Sequence, residues 1–202
     1  MSNWTLVRHG ESTANAAGLL SGWQDVALTE TGRNQAQKAG SSLTDRDWDI
    51  VLSSDLKRAR QTAEIALKER AALLGQNTRV VQLDKRFRER SFGLLQGQSK
   101  QMLRARGTMA LLRKWDWSEE GVESNRSLWI RLSEAMMARK EKRILLFAHG
   151  GVIRMMLRWH NRHIPEDGSK AIIDNASIHD IQFQIDEIDS NWVDPNYGKE
   201  GK

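Results

Sequence analysis

The chain has 202 residues, 39% hydrophobic and 28% charged, a composition that suits one globular domain with a single substantial core. It has no cysteine, so a disulfide framework and a thiolate nucleophile are both excluded, and with them a cysteine-phosphatase mechanism. The net charge of +5 is a mild basic surplus spread along the chain; there is no long Lys/Arg block and no RNA-binding aromatic motif, so nucleic acid is not an expected partner.

The chain opens with MSNWTLVRHGES, too polar for a signal peptide. Within it, residues 4–7 form an apolar burst that stops at Arg8, the pattern of a buried strand. The Gly- and Ser-bearing stretch 10–28 reads as a loop. Thr29 then offers an N-cap to a helix reaching about Leu43, with Ala36, Ala39 and Leu43 on one face. Residues 50–52 predict a second strand, after which Ser54 or Asp55 caps a long helix to about Leu74, stopped by Gly75. A third strand is expected at 80–83. From 99 to 115 the pattern is helical with a break near Gly107, and a helix over 125–140 leads into a strongly apolar strand at 144–148. Gly150-Gly151 is expected to turn the chain into a helix over 152–159. Beyond Pro165, the alternating segment 178–185 suits a half-buried edge strand, and the tail after about Asp194 is expected to fray. No apolar run approaches the roughly 20 residues that span a bilayer, so no membrane partner is expected and the expected compartment is the cytoplasm.

Strands alternating with helices of this length indicate an α/β class, a three-layer α/β/α sandwich around a mostly parallel sheet. We expect residues 1–202 to form a single domain, with a small helical cap inserted at about 98–122. In such sheets ligands lie beyond the carboxyl ends of the strands. Here those ends carry Arg8-His9, Ser53-Ser54 and His149-Gly150.

His9 and His149 each follow an apolar strand and precede a glycine, where backbone and ligand can approach closely. One such histidine is unremarkable as a capping or structural residue; two in matched contexts, each with an arginine nearby, point to shared chemistry. A neutral imidazole can attack phosphorus and split one hard displacement into two easier ones. Phosphoryl transfer then needs in-line positioning and stabilisation of the equatorial oxygens, which forked guanidiniums supply well. Arg8 and Arg58 are the candidates, Arg58 in the first turn of a helix whose dipole also favours an anion. Taken alone, Arg58 in the run Lys57-Arg58-Ala59-Arg60 fits a solvated helix face equally well. His160 and His163 with Glu166 and Asp167 superficially suggest metal ligands, but this spacing fits a polar helix end, and no metal and no cofactor is expected.

The motif Arg8-His9-Gly10-Glu11-Ser12 resembles the RHGE signature of the histidine phosphatase superfamily, which includes phosphoglycerate mutases and many small-molecule phosphatases. Further blocks follow in family order across nearly the whole chain. Leu28-Thr29-Glu30-Thr31-Gly32 is similar to the LTxxG helix start, and Ser53-Ser54-Asp55-Leu56-Lys57-Arg58-Ala59 to the SSxLxRA segment. The stretch Glu89–Gly97 resembles the segment bearing the proton donor, and His149-Gly150-Gly151 the second-histidine motif.

The resemblance implies a role for each matching residue. His9 becomes the nucleophile, held with Arg8, Arg58, His149 and Gly150 around the transferring phosphoryl group, and His149 contributes a proton when charged. Asn15 matches an asparagine that contacts phosphate in the mutase branch. Glu89 protonates the leaving alkoxide and then deprotonates water. Its own surroundings, Arg86-Phe87-Arg88-Glu89-Arg90, fit a surface ion pair as readily, and nearby arginines would disfavour a proton on it. Glu11 is either a partner that orients the site or a loop acid capping a backbone N–H.

Three activities compete. The first is a phosphomonoester hydrolase of small phosphorylated metabolites, the second a cofactor-dependent phosphoglycerate mutase, the third a non-catalytic phospho-ligand binder. Ser21-Gly22-Trp23 resembles the mutases' TGW, Lys100 matches a substrate-binding lysine, and Arg113-Lys114 stands where they have an arginine pair. The mutases, however, carry a proline-rich insertion where this chain has only residues 115–122, with no proline. Without that closure water reaches phosphohistidine more readily, which favours hydrolysis. Complete chemical machinery argues against a binder. Apolar residues of 99–117 roof the pocket or simply pack their helices; the substrate, and whether the chain is a monomer, a homodimer or larger, stay open.

Overall fold

The computed structural model describes residues 1–161 and 173–194. Its centre is a five-stranded sheet. The strands are β1 (Ser2–Arg8), β2 (Ile50–Ser53), β3 (Val81–Leu83), β4 (Arg143–Ala148) and β5 (Ile178–Phe183), in the order β3-β2-β4-β1-β5. All neighbours pair in parallel except β5, which runs antiparallel along β1 and forms one edge. The α/β class and the mostly parallel sheet expected from the sequence are what the structure has.

The period of two along the central strands builds the two outer layers. On β4, Ile144, Leu146 and Ala148 face one core, where Trp129 and Leu132 of α6 (Asn125–Met137) meet Val152, Met156 and Trp159 of α7 (Gly150–Asn161). Leu145 and Phe147 face the other core with Val7 and Val51, against Ala39 of α2 (Glu30–Ser41) and Ala63 and Leu67 of α3 (Lys57–Leu74). Burial on both faces explains why these strands read as continuous apolar runs. Most of the tryptophans are spent here. Trp129 stacks on Trp159 at 5.5 Å and meets Trp192 edge-on at 5.2 Å, and Trp4 stacks on Phe183.

Several boundaries differ from the sequence expectation. Helix α7 begins at Gly150 itself, so the two glycines are its first turn and not a separate connection. Neither Ser54 nor Asp55 is the N-cap of α3, which is Leu56 with no side-chain hydrogen bond; the Ser54 hydroxyl accepts from Leu56 N–H and also meets His149, and Asp55 binds Arg88. Helix α6 ends at Met137. The expected break at Gly107 is present, with φ of 74°; it separates two short helices, Lys100–Ala105 and Thr108–Leu111.

Those helices belong to a small lobe over the carboxyl end of the sheet, built on Leu20, Leu95, Leu103, Leu112 and Val122. Leu103 and Leu112 are thus packing residues, whereas Met102 is exposed. The lobe is bolted to the body through backbone bonds Leu20 N–H to Gln98 O at 2.9 Å and Lys100 N–H to Gly18 O at 2.9 Å. No described helix is long and apolar enough to cross a membrane.

Candidate active site

The sheet order sets the ends of β2, β4 and β1 side by side, and the parallel register aligns Arg8 with Ala148 and Ser53 with Phe147. The next residues, His9, His149 and Ser54, therefore emerge together. The two imidazoles lie 5.2 Å apart between ring centroids, at 60°. His9 Nδ1 is 2.7 Å from Gly10 O. A carbonyl can only accept, so Nδ1 carries the proton and Nε2 keeps its lone pair. Arg58 Nε–H points at that lone pair from 3.3 Å. The backbone behind His9 is held as firmly: its carbonyl accepts from Asn175 Nδ2 at 3.0 Å and from Ala176 N–H, and Gly10 N–H donates to Thr62 Oγ1. Gly10 must be glycine, since a Cβ there would sit 2.3 Å from the Gly32 carbonyl oxygen.

Arg58 is fully buried, which disposes of the solvated helix face. Its Nη1 and Nη2 donate to Gln24 O at 2.9 Å and Gly22 O at 2.7 Å, and burial lowers its pKa to about 10. Arg8 donates through Nη1 to Ile173 O, and burial lowers its pKa too. His149 Nε2 is 2.8 Å from Ser54 Oγ. Two further groups at this centre, Arg8 Nε and His149 Nδ1, are buried without a hydrogen-bond partner among the described residues. Burial first, and then the Arg58 charge, push both His9 and His149 well below the usual imidazole range. Both are therefore neutral at neutral pH in the protein alone, which suits His9 as a nucleophile. A charged His149 requires an incoming phosphate dianion to offset the arginines.

Glu89 is not a surface ion pair. Its neighbours all turn away: Arg86 binds Asp84, Arg88 binds Asp55, and Arg90 is buried against Glu123 O and Leu112 O. The Glu89 carboxylate instead accepts from Gly151 N–H at 3.0 Å, at the start of α7, and from Arg90 N–H at 2.9 Å. Its charge is near enough to offset part of the lowering that burial imposes on Arg8 and Arg58. Its carbonyl is gripped from two sides, by Trp23 Nε1 at 2.6 Å and by Arg131 Nη2 at 3.0 Å.

The remaining candidates divide. Lys100 belongs to the same field of charge: burial, Arg8 and Arg104 lower its pKa, and its ammonium in turn depresses His9. Gly150 lies against Arg8, with a virtual Cβ 3.4 Å from Nε. Gly22 works through its carbonyl on Arg58, and Ser21 sits in the same turn. The Asn15 carbonyl oxygen is taken up in capping its own short helix, Thr13–Ala16, through Ser12, and meets Asn175 at 3.4 Å. Arg113 is exposed, and the backbone just before it is held by Asn125 and Arg90 at the Leu112 carbonyl. Glu11 accepts from the Thr29 hydroxyl at 2.7 Å, tying the histidine loop to the start of α2. Reasoning from sequence missed Ser54, Asn175 and Arg131 as site residues; Ser54 alone had a signal, its place at a strand end. His160 lies in the last turn of α7, whereas His163, Glu166 and Asp167 fall outside the described residues. Among the described residues no group of three or more acidic or histidine side chains could hold a metal.

A strand-end histidine whose Nε2 meets Arg58, one fully buried arginine, one half-buried arginine and a carboxylate thus stand together where the strands end. The family model for the histidine phosphatase superfamily (branch 1) matches residues 4–193, and the chain belongs to that superfamily. It is 32% identical to the uncharacterized phosphatase PhoE of Bacillus subtilis (strain 168) over 88% of this chain and 86% of that one. It is 31% identical to the 2,3-bisphosphoglycerate-dependent phosphoglycerate mutase of Cytophaga hutchinsonii, over 80% and 78%. Among solved structures, TTHB049 from Thermus thermophilus superposes with a TM-score of 0.72 at 32% identity, covering 90% of this chain and 94% of that one.

Proposed function

We propose that the chain is a phosphomonoester hydrolase of small phosphorylated metabolites, working through a phosphohistidine on His9. The observation that carries this is the His9 imidazole: the Gly10 carbonyl holds the proton on Nδ1, Nε2 keeps a lone pair met by Arg58 Nε–H, and close by Arg8 Nε and His149 Nδ1 have no hydrogen-bond partner among the described residues. A phosphoryl group bound there receives donors from Arg8, Arg58 and His149. His9 Nε2 attacks phosphorus as the P–O bond to the alcohol breaks, and Glu89 gives its proton to the departing oxygen. Water then attacks phosphohistidine, Glu89 takes the water's proton, the P–N bond breaks, and phosphate leaves.

The lobe favours hydrolysis over mutase chemistry. Only a short connection spans 115–122, and Arg113 and Lys114, where mutases have an arginine pair, are exposed. The mutase reading is supported by Lys100 in the site's field of charge and by mutases among the relatives. Two assays separate them. Hydrolysis of p-nitrophenyl phosphate in EDTA should proceed in the wild type and vanish in His9→Ala; turnover unchanged by the substitution would sink the nucleophile. With 3-phosphoglycerate plus catalytic 2,3-bisphosphoglycerate, phosphate release supports the hydrolase, and interconversion without release supports the mutase.

A further inference from the structure

Trp23 is 40% exposed, yet its N–H is aimed inward at the Glu89 carbonyl, 2.6 Å away. The covered part of the ring contributes by burial, but burial alone does not fix which way the indole N–H points. Arg88, itself locked to Asp55, covers the ring at 5.0 Å, and Gln96 Oε1 accepts the Trp23 backbone N–H at 2.6 Å. The ring is therefore clamped in one orientation. On either side of Trp23, the carbonyls of Gly22 and Gln24 hold the Arg58 guanidinium. One strap thus touches both the phosphate-gripping arginine, through backbone, and the segment of the general acid, through a side chain.

We propose that Trp23 is the positioning residue for Glu89, setting through its indole N–H where the carboxyl meets the leaving oxygen. The assignment rests on Glu89 being the acid. The carbonyl that Trp23 grips is in the same residue as that carboxyl, and the opposite grip, from Arg131, is anchored by paired bonds to Glu123 at 2.6 and 2.9 Å. Removing one grip frees the backbone end of the residue to shift, while Gly151 N–H and Arg90 N–H still hold the carboxylate at 3.0 and 2.9 Å.

Leaving-group dependence isolates this role. An alkyl phosphate needs a proton on its departing oxygen, whereas p-nitrophenolate leaves without one. Trp23→Phe keeps the stacked ring and deletes the donor. The expected result is a fall of about tenfold in kcat/KM for an alkyl phosphate, such as glycerol phosphate, with p-nitrophenyl phosphate held within about twofold. Competitive inhibition by inorganic phosphate should be unchanged, since Arg58 is held by backbone. Equal losses on both substrates, no loss on either, or weakened phosphate inhibition would overturn the proposal. Glu89→Gln, measured alongside, separates the two levels. If it shows the leaving-group dependence and Trp23→Phe does not, Trp23 alone is wrong; if Glu89→Gln treats both esters alike, the acid is misassigned and the Trp23 role falls with it.

Discussion

Gly151→Ala tests the acid without replacing it. A Cβ on Gly151 would stand 2.2 Å from Glu89 Oε1 and 3.1 Å from its Cδ, where ordinary contacts begin at 3.4 Å. The obstacle is the end of a flexible side chain, so the carboxylate retreats by about an ångström and its bond to Gly151 N–H is lost. The fold is not strained: Gly151 lies in the first turn of α7, and alanine there changes stability by at most about 1 kcal/mol in the favourable direction. Misplacing a catalytic group by this distance costs about 10²-fold. We therefore expect kcat/KM for an alkyl phosphate to fall by about that factor, with inhibition by phosphate and the thermal midpoint near wild type. Gly150→Ala is the internal comparison. Its Cβ meets Arg8 Nε at 3.4 Å, an ordinary contact, and its loss should be much smaller. Wild-type turnover by Gly151→Ala, or a loss matched by Gly150→Ala, would refute a Glu89 carboxylate acting from this position.

Arg58→Lys should lower kcat/KM by roughly 10²-fold or more, because one ammonium cannot reach His9, Gln24 O and Gly22 O together and still face a phosphate; steady-state kinetics checks it. Gly10→Ala should be destabilising by about 2–4 kcal/mol in urea melts, since the atom in its way is the Gly32 carbonyl oxygen and backbone cannot step aside. Stability should also depend on pH with a definite sign. His9 and His149 have lowered folded pKa values, so below about 6.5 the unfolded chain binds protons that the folded protein refuses. Their contribution is complete above that pH and is lost as pH falls, by up to about 1.4 kcal/mol per unit for each proton. Urea melts at pH 7.5 and 5.5 should show the loss, and His149→Gln should reduce the slope; a flat or rising stability toward acid would contradict the burial of both rings.

The sequence was most informative where local pattern and tertiary role coincide. The apolar runs at 4–7, 50–52 and 144–148 are buried on both faces and could be placed by composition alone. Boundaries failed where a residue was claimed by something distant. Ser54 has the chemistry of an N-cap, but its hydroxyl is shared between Leu56 N–H and His149, 95 positions away. Asp55 is likewise drawn off by Arg88. The Glu89 segment was misleading for the same reason. Five charged or aromatic residues in a row read as solvated surface, and only the structure shows that each arginine leaves for a different partner. Asn175 and Arg131 act on backbone carbonyls, and a donor to a carbonyl leaves no mark in sequence spacing.

The same topology explains why the centre is where it is. β4 lies between β2 and β1, so three strands far apart in sequence end beside one another, and each delivers one polar residue at the step where its apolar run stops. Nothing in a single strand requires that ending. What selects it is the cost of continuing: a buried imidazole or hydroxyl is tolerated only if it finds a partner. Ser54 satisfies His149, Gly10 satisfies one side of His9, and Thr62 satisfies the Gly10 amide behind it. Among the described residues, Arg8 Nε and His149 Nδ1 are the buried groups of this centre left without a partner. An oxyanion bound between them would accept from Arg8 Nε–H and, with the imidazole proton on Nδ1, from His149 as well, which is what the proposed phosphoryl ligand needs.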